Sequence, residues 1–524
     1  MQYLILLVAT LLAGCESAAI PAAATSTDTI PVTVPAPGTA QANTYGSRVF
    51  YEAWVRSVQD SDGDGIGDLR GMIERIPDLA QLGIGGIWLM PTFPSPLADS
   101  GYDVADYTAV HPDYGTLEDL EELIRVAHDH NILIYLDMVF NHVSNEHIWF
   151  QSALTGSASP YYDYFVWADE PMTRCTDVPA GPFGPDRWTY SQDAGKYYFH
   201  QFYPRQPDLN YRSPALRQAL LDVLNFWMDR GVDGFRFDVP DRFYENGNHC
   251  SHQDETVEFH KKLRDTIVGR DRGFVTEIWG TVESNQPFFE AGNPMIFNFE
   301  LLFSLYTGAL AGASAEPIRG AVATMLANLP ATGQWGILIG NHDVPRPYEI
   351  AGGDMARLRL AAALQLTLPG VPFMWMGEEL GLPPATQVRV DFRDKWRAPY
   401  PWTDQGPDFG FGSGTATPHL AYGPFEGRAY STQLADPGSL LNYYRGWIAL
   451  RNATPALHTP GYRDLGIEGD VWSYQRGTGA EHVVVAHNFA RRTRANARRS
   501  GYRDLLGDCS DLGPGDSCAM APAR

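Results

Sequence analysis

From residue 47 onward, short apolar runs alternate with amphipathic stretches of helical period, and that alternation leaves few architectures open. The candidate strands are RVFYEAWV (48–55), IGGIWLMP (84–91), ILIYLDMV (132–139), VDGFRFD (232–238), GFVTEI (273–278), MIFNFE (295–300), GILIGN (336–341) and VPFMWM (371–376). Most are near-continuous apolar runs, which is how strands read when both faces of a parallel sheet are covered. Between them, TLEDLEELIRVAHDH opens with Thr116 three residues before Asp119, a capping-box-like start, and lines Leu120, Leu123, Ile124 and Ala127 along one face. SPALRQALLDVLNFWMDRG has Ser213 to cap, Pro214 in the first turn and Gly231 just past the end. Eight strands alternating with helices predict an α/β chain folded as a (β/α)8 TIM barrel, with a doubly wound open sheet as the competitor on pattern alone.

The spacing divides the chain. The barrel is expected over residues 46–455, interrupted after the third strand by about seventy residues (143–212) rich in Tyr, Pro, Gly and Asp, too long for a plain connection and read as an inserted subdomain. Past residue 455 the helical period stops, and VWSYQR and HVVVAHNF read as strands of a small C-terminal β-domain, 456–524. At the other end, residues 3–13 form an apolar run too short to span a bilayer, closing on LAGC, which resembles a bacterial lipobox. Residues 1–15 are thus expected to be a lipoprotein-type signal ending at a lipidated Cys15, although MQY lacks the usual basic residue. Residues 16–45, rich in Ala, Pro, Thr and Ser, read as a tether. The expectation is export to a bacterial cell envelope, periplasm or cell surface, with membrane contact only through the lipid.

An oxidising compartment lets Cys175, Cys250, Cys509 and Cys518 form two disulfides. Cys509 with Cys518 is the favoured local pair, while Cys175 and Cys250 read equally well as bonded or as free thiols. The formal charge of −23, from 39 basic and 62 acidic residues, argues against nucleic acid and anionic membrane as partners but is indifferent to a neutral ligand. Aromatic residues make up 12% of the chain, which suits a sugar cleft as well as a large core.

Reactive side chains of such a barrel sit where strands end. The third strand ends DMVFNH (Asp137, Asn141, His142), the fourth gives GFRFD (Arg236, Asp238), the fifth ends at Glu277, and NHD (Asn341, His342, Asp343) closes the seventh. No Ser–His–Asp spacing, CxxC pair or HExxH occurs. Two carboxylates on adjacent strand ends, Asp238 and Glu277, are what a retaining glycosidase needs. Arg236, on the same strand face as Asp238, would keep it ionised, and desolvation beside Trp279 would push Glu277 toward a general acid. Taken singly, each acid could equally be a helix cap.

In their order and places, DMVFNH, GFRFD, VTEIW and NHDVPR resemble the α-amylase superfamily of retaining α-glucoside hydrolases and transglycosidases, over roughly residues 47–490. The resemblance implies Asp238 as nucleophile, Glu277 as acid/base and Asp343 as transition-state stabiliser. Arg236, His142 and His342 would surround the catalytic sugar, Tyr102 would lie beneath it, and Asp99 would reach its far hydroxyls with an arginine partner, assigned to Arg397 of RAPYPW. QPDLN (206–210) and RAPYPW are similar to segments of the oligo-1,6-glucosidase group, and Val239 to the residue of members that cleave α-1,6 bonds; Pro240 departs from both patterns. The implied activity is α-glucosidase action on malto- or isomalto-oligosaccharides, the substrate partner. An exported amylase of intermediate type, or an α-glucosyl transferase or isomerase, is the enzyme alternative, and a non-catalytic sugar-binding module is the rival.

DSDGDGIGDLRG (60–71) lacks the GxGxxG spacing, and its acids would repel a pyrophosphate. Asp60, Asp62, Asp64 and Asp68 instead fall at positions 1, 3, 5 and 9 of an EF-hand-like loop, with the Ile66 carbonyl at position 7 and Gly71 where an EF-hand has its Glu. The oligo-1,6-glucosidase group carries a similar loop as a structural Ca²⁺ site, so Ca²⁺ is the expected metal.

Overall fold

The structure, a computed structural model, describes residues 45–177, 186–329, 333–386, 392–412, 416–425, 427–479 and 481–523; Cys15 and the tether lie outside them. Eight parallel strands close into a barrel in chain order: Phe50–Ala53, Gly86–Leu89, Leu133–Met138, Gly234–Phe237, Gly273–Thr276, Met295–Phe297, Gln334–Ile337 and Val371–Trp375. Each falls within or overlaps an apolar run of the sequence, and nearly every strand residue is buried, since helices cover one face and the barrel interior the other. The open-sheet alternative is excluded by closure of the first strand onto the eighth, Phe50 opposite Phe373.

The interior is built in layers. At the lower level Phe50, Tyr135, Phe297 and Phe373 meet, with Phe50 and Phe373 stacked at 4.7 Å and Phe50 edge-on to Tyr135 at 4.9 Å. Intervening strands supply glycines, and a Cβ at Gly234 or Gly273 would stand 2.4 or 2.1 Å from the Tyr135 side chain. Two residues on, along the same strand faces, come Glu52, Trp88, Asp137, Arg236 and Trp375. An aromatic plug thus supports a charged layer.

The flanking helices start where the sequence predicts. Thr116 and Asp119 exchange hydrogen bonds in a capping box ahead of Leu117–Asp129, and Ser213 caps Pro214–Asp229. Within the inserted region a three-stranded sheet forms from Trp167–Ala168, Lys196–Phe199 and Trp188–Ser191. A Cys175–Cys250 disulfide joins that region to the loop after the fourth strand.

Past the last barrel helix, Leu440–Ala453, the chain forms a five-stranded antiparallel sheet. Its strands, in sheet order, are Tyr462–Glu468, Val471–Arg476, Val483–Asn488, Ser517–Pro522 and Tyr502–Leu506. The polar final stretch is held there by the Cys509–Cys518 disulfide, and Tyr474 hydrogen-bonds Thr367 of a barrel helix at 2.6 Å. Among the described residues no helix is long and apolar enough to cross a membrane.

Candidate active site

Period-two alternation delivers the acids. Gly234, Arg236 and Asp238 share one face of the fourth strand and its end, and Gly273, Val275 and Glu277 share one face of the fifth, so both carboxyls emerge above the charged layer. Arg236, fully buried, is their common partner. Its Nη1 donates to Asp137 at 2.7 Å and to Asp238 at 3.0 Å, and its Nη2 donates to Glu277. Asp137 also accepts from Tyr102 at 2.8 Å and Trp88 at 3.1 Å. Burial pushes Asp137 up to about 6 despite these donors.

Glu277 is buried and accepts from the Trp279 indole at 2.8 Å. Burial raises its pKa to about 8, outweighing the attraction of Arg236, with Asp238 and Asp343 adding to the rise. It therefore holds a proton at neutral pH, as a general acid must.

Val239 follows Asp238 with φ +34°, left-handed and unusual for a β-branched residue. Pro240 does not account for it, since a residue before proline is driven to extended backbone with negative φ, and the strain at Val239 is held by the surrounding fold. The strained turn ends the fourth strand just past Asp238 and puts Val239 on the cavity wall.

Asp343 stands opposite, in the loop after the seventh strand. Arg393 and Arg397 each donate to its Oδ1 at 3.0 Å, and Nε2 of His342 lies 3.3 Å from its Oδ2. Burial alone would raise this carboxyl, but His342, Arg393 and Arg397 hold it well below the usual range. The His342 ring stacks on Tyr102 at 5.1 Å. His142 donates from Nε2 to the Tyr102 carbonyl at 3.0 Å, which fixes its tautomer because a carbonyl only accepts.

One assignment is corrected. The arginine on Asp99 is Arg393, whose Nη2 donates to Oδ1, while Arg397 binds Asp343 and the His342 carbonyl. The short 3-10 turn Phe392–Trp396 places the earlier arginine toward Asp99. Gln206 of the QPDLN segment donates to the other Asp99 oxygen at 2.9 Å.

These groups line a cavity of about 710 Å³ that includes Asp99, Tyr102, His142, Asp238, Glu277 and Asp343. Beyond the acids its walls differ in character. Asp241, Arg242 and Ser251 form a polar side; Trp279, stacked on Phe299 at 3.9 Å, and Phe303 form an apolar one. A pyranose has polar edges and apolar faces, so such a space fits a second sugar.

In the acidic loop, carboxylate oxygens of Asp60, Asp62 and Asp68 come within 4.8 Å of one another. Asp64 is not in that group, and its carboxylate accepts the Ile66 N–H at 2.7 Å. Asp68 also caps the helix Leu69–Leu82 through Gly71 N–H at 2.7 Å. Among the described residues no basic side chain pairs with these acids, and burial first, then neighbouring aspartates, raise Asp60 and Asp64. Three converging hard oxygen donors fit a divalent cation.

Glu52, Trp88, Gln206 and Trp279 also belong to the site. Glu52 hides in a strand that reads as apolar, and only its place two residues after Phe50 on the inward face marks it.

Residues 53–460 match the family described as Alpha amylase, catalytic domain. The chain is 34% identical over 482 residues to the trehalose synthase/amylase TreS of Mycolicibacterium smegmatis, covering 81% of this chain and 79% of that one. It is 32% identical over 497 residues to a glucan 1,6-alpha-glucosidase of Streptococcus pneumoniae, covering 84% and 90%. Among solved structures it is similar to the alpha-glucosyl transfer enzyme XgtA, with TM-score 0.83 and 28% identity, over 92% of this chain and 100% of that one. The strand-end acids and these likenesses place the chain in the α-amylase family, among enzymes that act on α-glucosidic bonds.

Proposed function

We propose that the protein is a retaining α-glucosidase of the oligo-1,6-glucosidase kind, cleaving α-1,4 or α-1,6 bonds of malto- or isomalto-oligosaccharides. The observation that carries this is the pair of carboxyls, Asp238 and Glu277, held on one guanidinium at the cavity wall. Sharing Arg236 supports the short spacing of double displacement, about 5–5.5 Å, over the roughly 6.5–9.5 Å that admits a water between the acids. In the first step Asp238 attacks the anomeric carbon while Glu277 gives its proton to the departing oxygen. In the second, Glu277 takes a proton from water, whose oxygen displaces Asp238. Asp343, kept ionised, faces the positive charge that develops on the ring in both steps.

Asp238→Asn should leave a folded protein with turnover lower by about 10⁴-fold or more. Appreciable residual activity, or inversion at the first-released anomer followed by NMR, contradicts this reading.

Glucosyl transfer within a trapped disaccharide is the second reading, favoured by the separate wall for the leaving sugar and by the trehalose synthase relatives. Both readings share every acid and differ in whether water or the leaving sugar receives the glucosyl group. Product chromatograms on maltose, isomaltose, sucrose and soluble starch separate them: glucose alone marks hydrolysis, a new disaccharide marks transfer.

The reading extends to Ca²⁺ held by Asp60, Asp62 and Asp68, where its charge would neutralise the clustered carboxylates and brace the first loop. It also includes export to the cell envelope on a lipid at Cys15, for which LAGC is the support.

A further inference from the structure

The first barrel strand contributes a carboxylate that double displacement does not use. Glu52 is fully buried, and its Oε1 lies 2.5 Å from Nδ1 of His342, while Oε2 has no hydrogen-bond partner among the described residues. On the other side of the ring, Nε2 faces Oδ2 of Asp343 at 3.3 Å. The ring cannot swing, because it stacks on Tyr102 at 5.1 Å and meets the Trp88 and Trp375 rings edge-on at 5.9 and 6.3 Å.

The donors on Asp343 divide between its two oxygens. Arg393 and Arg397 occupy Oδ1, and His342 is the group on Oδ2. Ionised carboxylates only accept, and a neutral imidazole has one N–H to give. With a carboxylate against each ring nitrogen, both contacts are hydrogen bonds when the ring carries both protons. Other titratable groups within electrostatic reach of the ring are Asp137 and Glu277, from the third and fifth strands, while Arg236 acts on Glu52.

We propose that Glu52 is a positioning residue of the reaction, holding the His342 imidazolium by Nδ1 so that Nε2 donates to Asp343 and aims that carboxylate at the reacting sugar. The inference rests on the reading of Asp343 as the acid facing that sugar. It is the logic of a base oriented by a third group, applied to a group that never touches substrate. In agreement, Asp343 and Glu52 together raise His342 to about 9, against a burial that alone would lower it.

The test is a double-mutant cycle with Glu52→Gln, His342→Asn and both, on maltose, with melting curves as the folding control. Glu52→Gln should lower kcat by about 10- to 100-fold, the scale seen where outer partners orient an imidazole elsewhere, with KM nearly unchanged. In the His342→Asn background it should cost nothing further. Wild-type kcat in Glu52→Gln, or effects that multiply in the double variant, overturns the proposal. If Glu52→Gln does not fold, nitrogen-15 NMR of histidine in the wild-type enzyme decides: two N–H groups on the His342 ring at pH 7 support it, and one overturns it. Asp343→Asn is the separate control. If that variant keeps its turnover, the underlying reading fails and the proposal with it, whatever Glu52→Gln does.

Discussion

Arg393 pairs with Asp99 at the cavity wall, each side chain only 6% exposed. The same guanidinium reaches Asp343, so one cation ties the acid expected at the far hydroxyls to the acid proposed to face the anomeric centre. Without the guanidinium, both carboxylates lose a buried cationic partner that fixes their orientation. If Asp99 and Asp343 contact the sugar as proposed, Arg393→Ala should lower kcat/KM on maltose by about 100-fold or more, the scale of a lost electrostatic contact in the transition state. Arg393→Lys should rescue little, since an ammonium cannot fork between two carboxylates. Steady-state kinetics within about threefold of wild type would show that the pair does not orient substrate.

In the proposed mechanism Glu277 carries its proton to release the leaving group. Its pKa is raised to about 8, so the acid form dominates below that value and is lost as pH rises through it. The alkaline limb of kcat/KM should bend near pH 8. An alkaline limb set instead near the ordinary carboxylate value would remove Glu277 from the role of acid.

A cation held by the acidic loop, as proposed, would link metal to stability. A chelator should lower the melting temperature if a cation neutralises Asp60, Asp62 and Asp68, because binding to the folded state alone adds stability. Asp60 has a raised pKa, so its negative charge, and with it the chelator effect, should fade as pH drops toward the carboxylate range. Identical melts with and without chelator at neutral pH would remove the ion.

The Cys175–Cys250 bond braces the polar wall. It lies beside Asp177, whose carboxylate accepts the Cys250 and Ser251 N–H groups at 3.0 and 3.3 Å, and Ser251 hydrogen-bonds Asp241 at 2.9 Å. Replacing both cysteines by serine should lower stability by about 2–5 kcal/mol. It should also raise KM for maltose more than it lowers kcat, since the loosened groups face the leaving sugar and not the acids. A kcat-only effect would show that the wall does not depend on the bond.

The sequence revealed strands and acids for one reason and hid the rest for another. A strand turns its side chains with period two, so GFRFD sets Arg236 and Asp238 on one face without any knowledge of the neighbours. The partner of Asp99 depends on how the segment after the eighth strand coils, and two arginines four residues apart look alike until it does. Asp64 fits a metal-loop spacing as well as its neighbours do, yet its carboxylate stands outside the cluster, held on the Ile66 N–H. The apolar wall is supplied by Trp279, two residues past Glu277, together with Phe299 and Phe303, which a linear reading assigns to an ordinary core.

Trp279 gives the site an optical consequence. Its indole N–H donates to Glu277, the carboxyl proposed to exchange the reaction's proton, and its ring is stacked on Phe299 at the cavity wall. Indole emission responds to a neighbouring charge and to displaced water, so this one residue reports both the ionisation of Glu277 and the arrival of a sugar. With 13 tryptophans in the chain, the signal is read as the difference between the wild-type enzyme and Trp279→Phe. Light collected during turnover then follows the acid itself and not only the products.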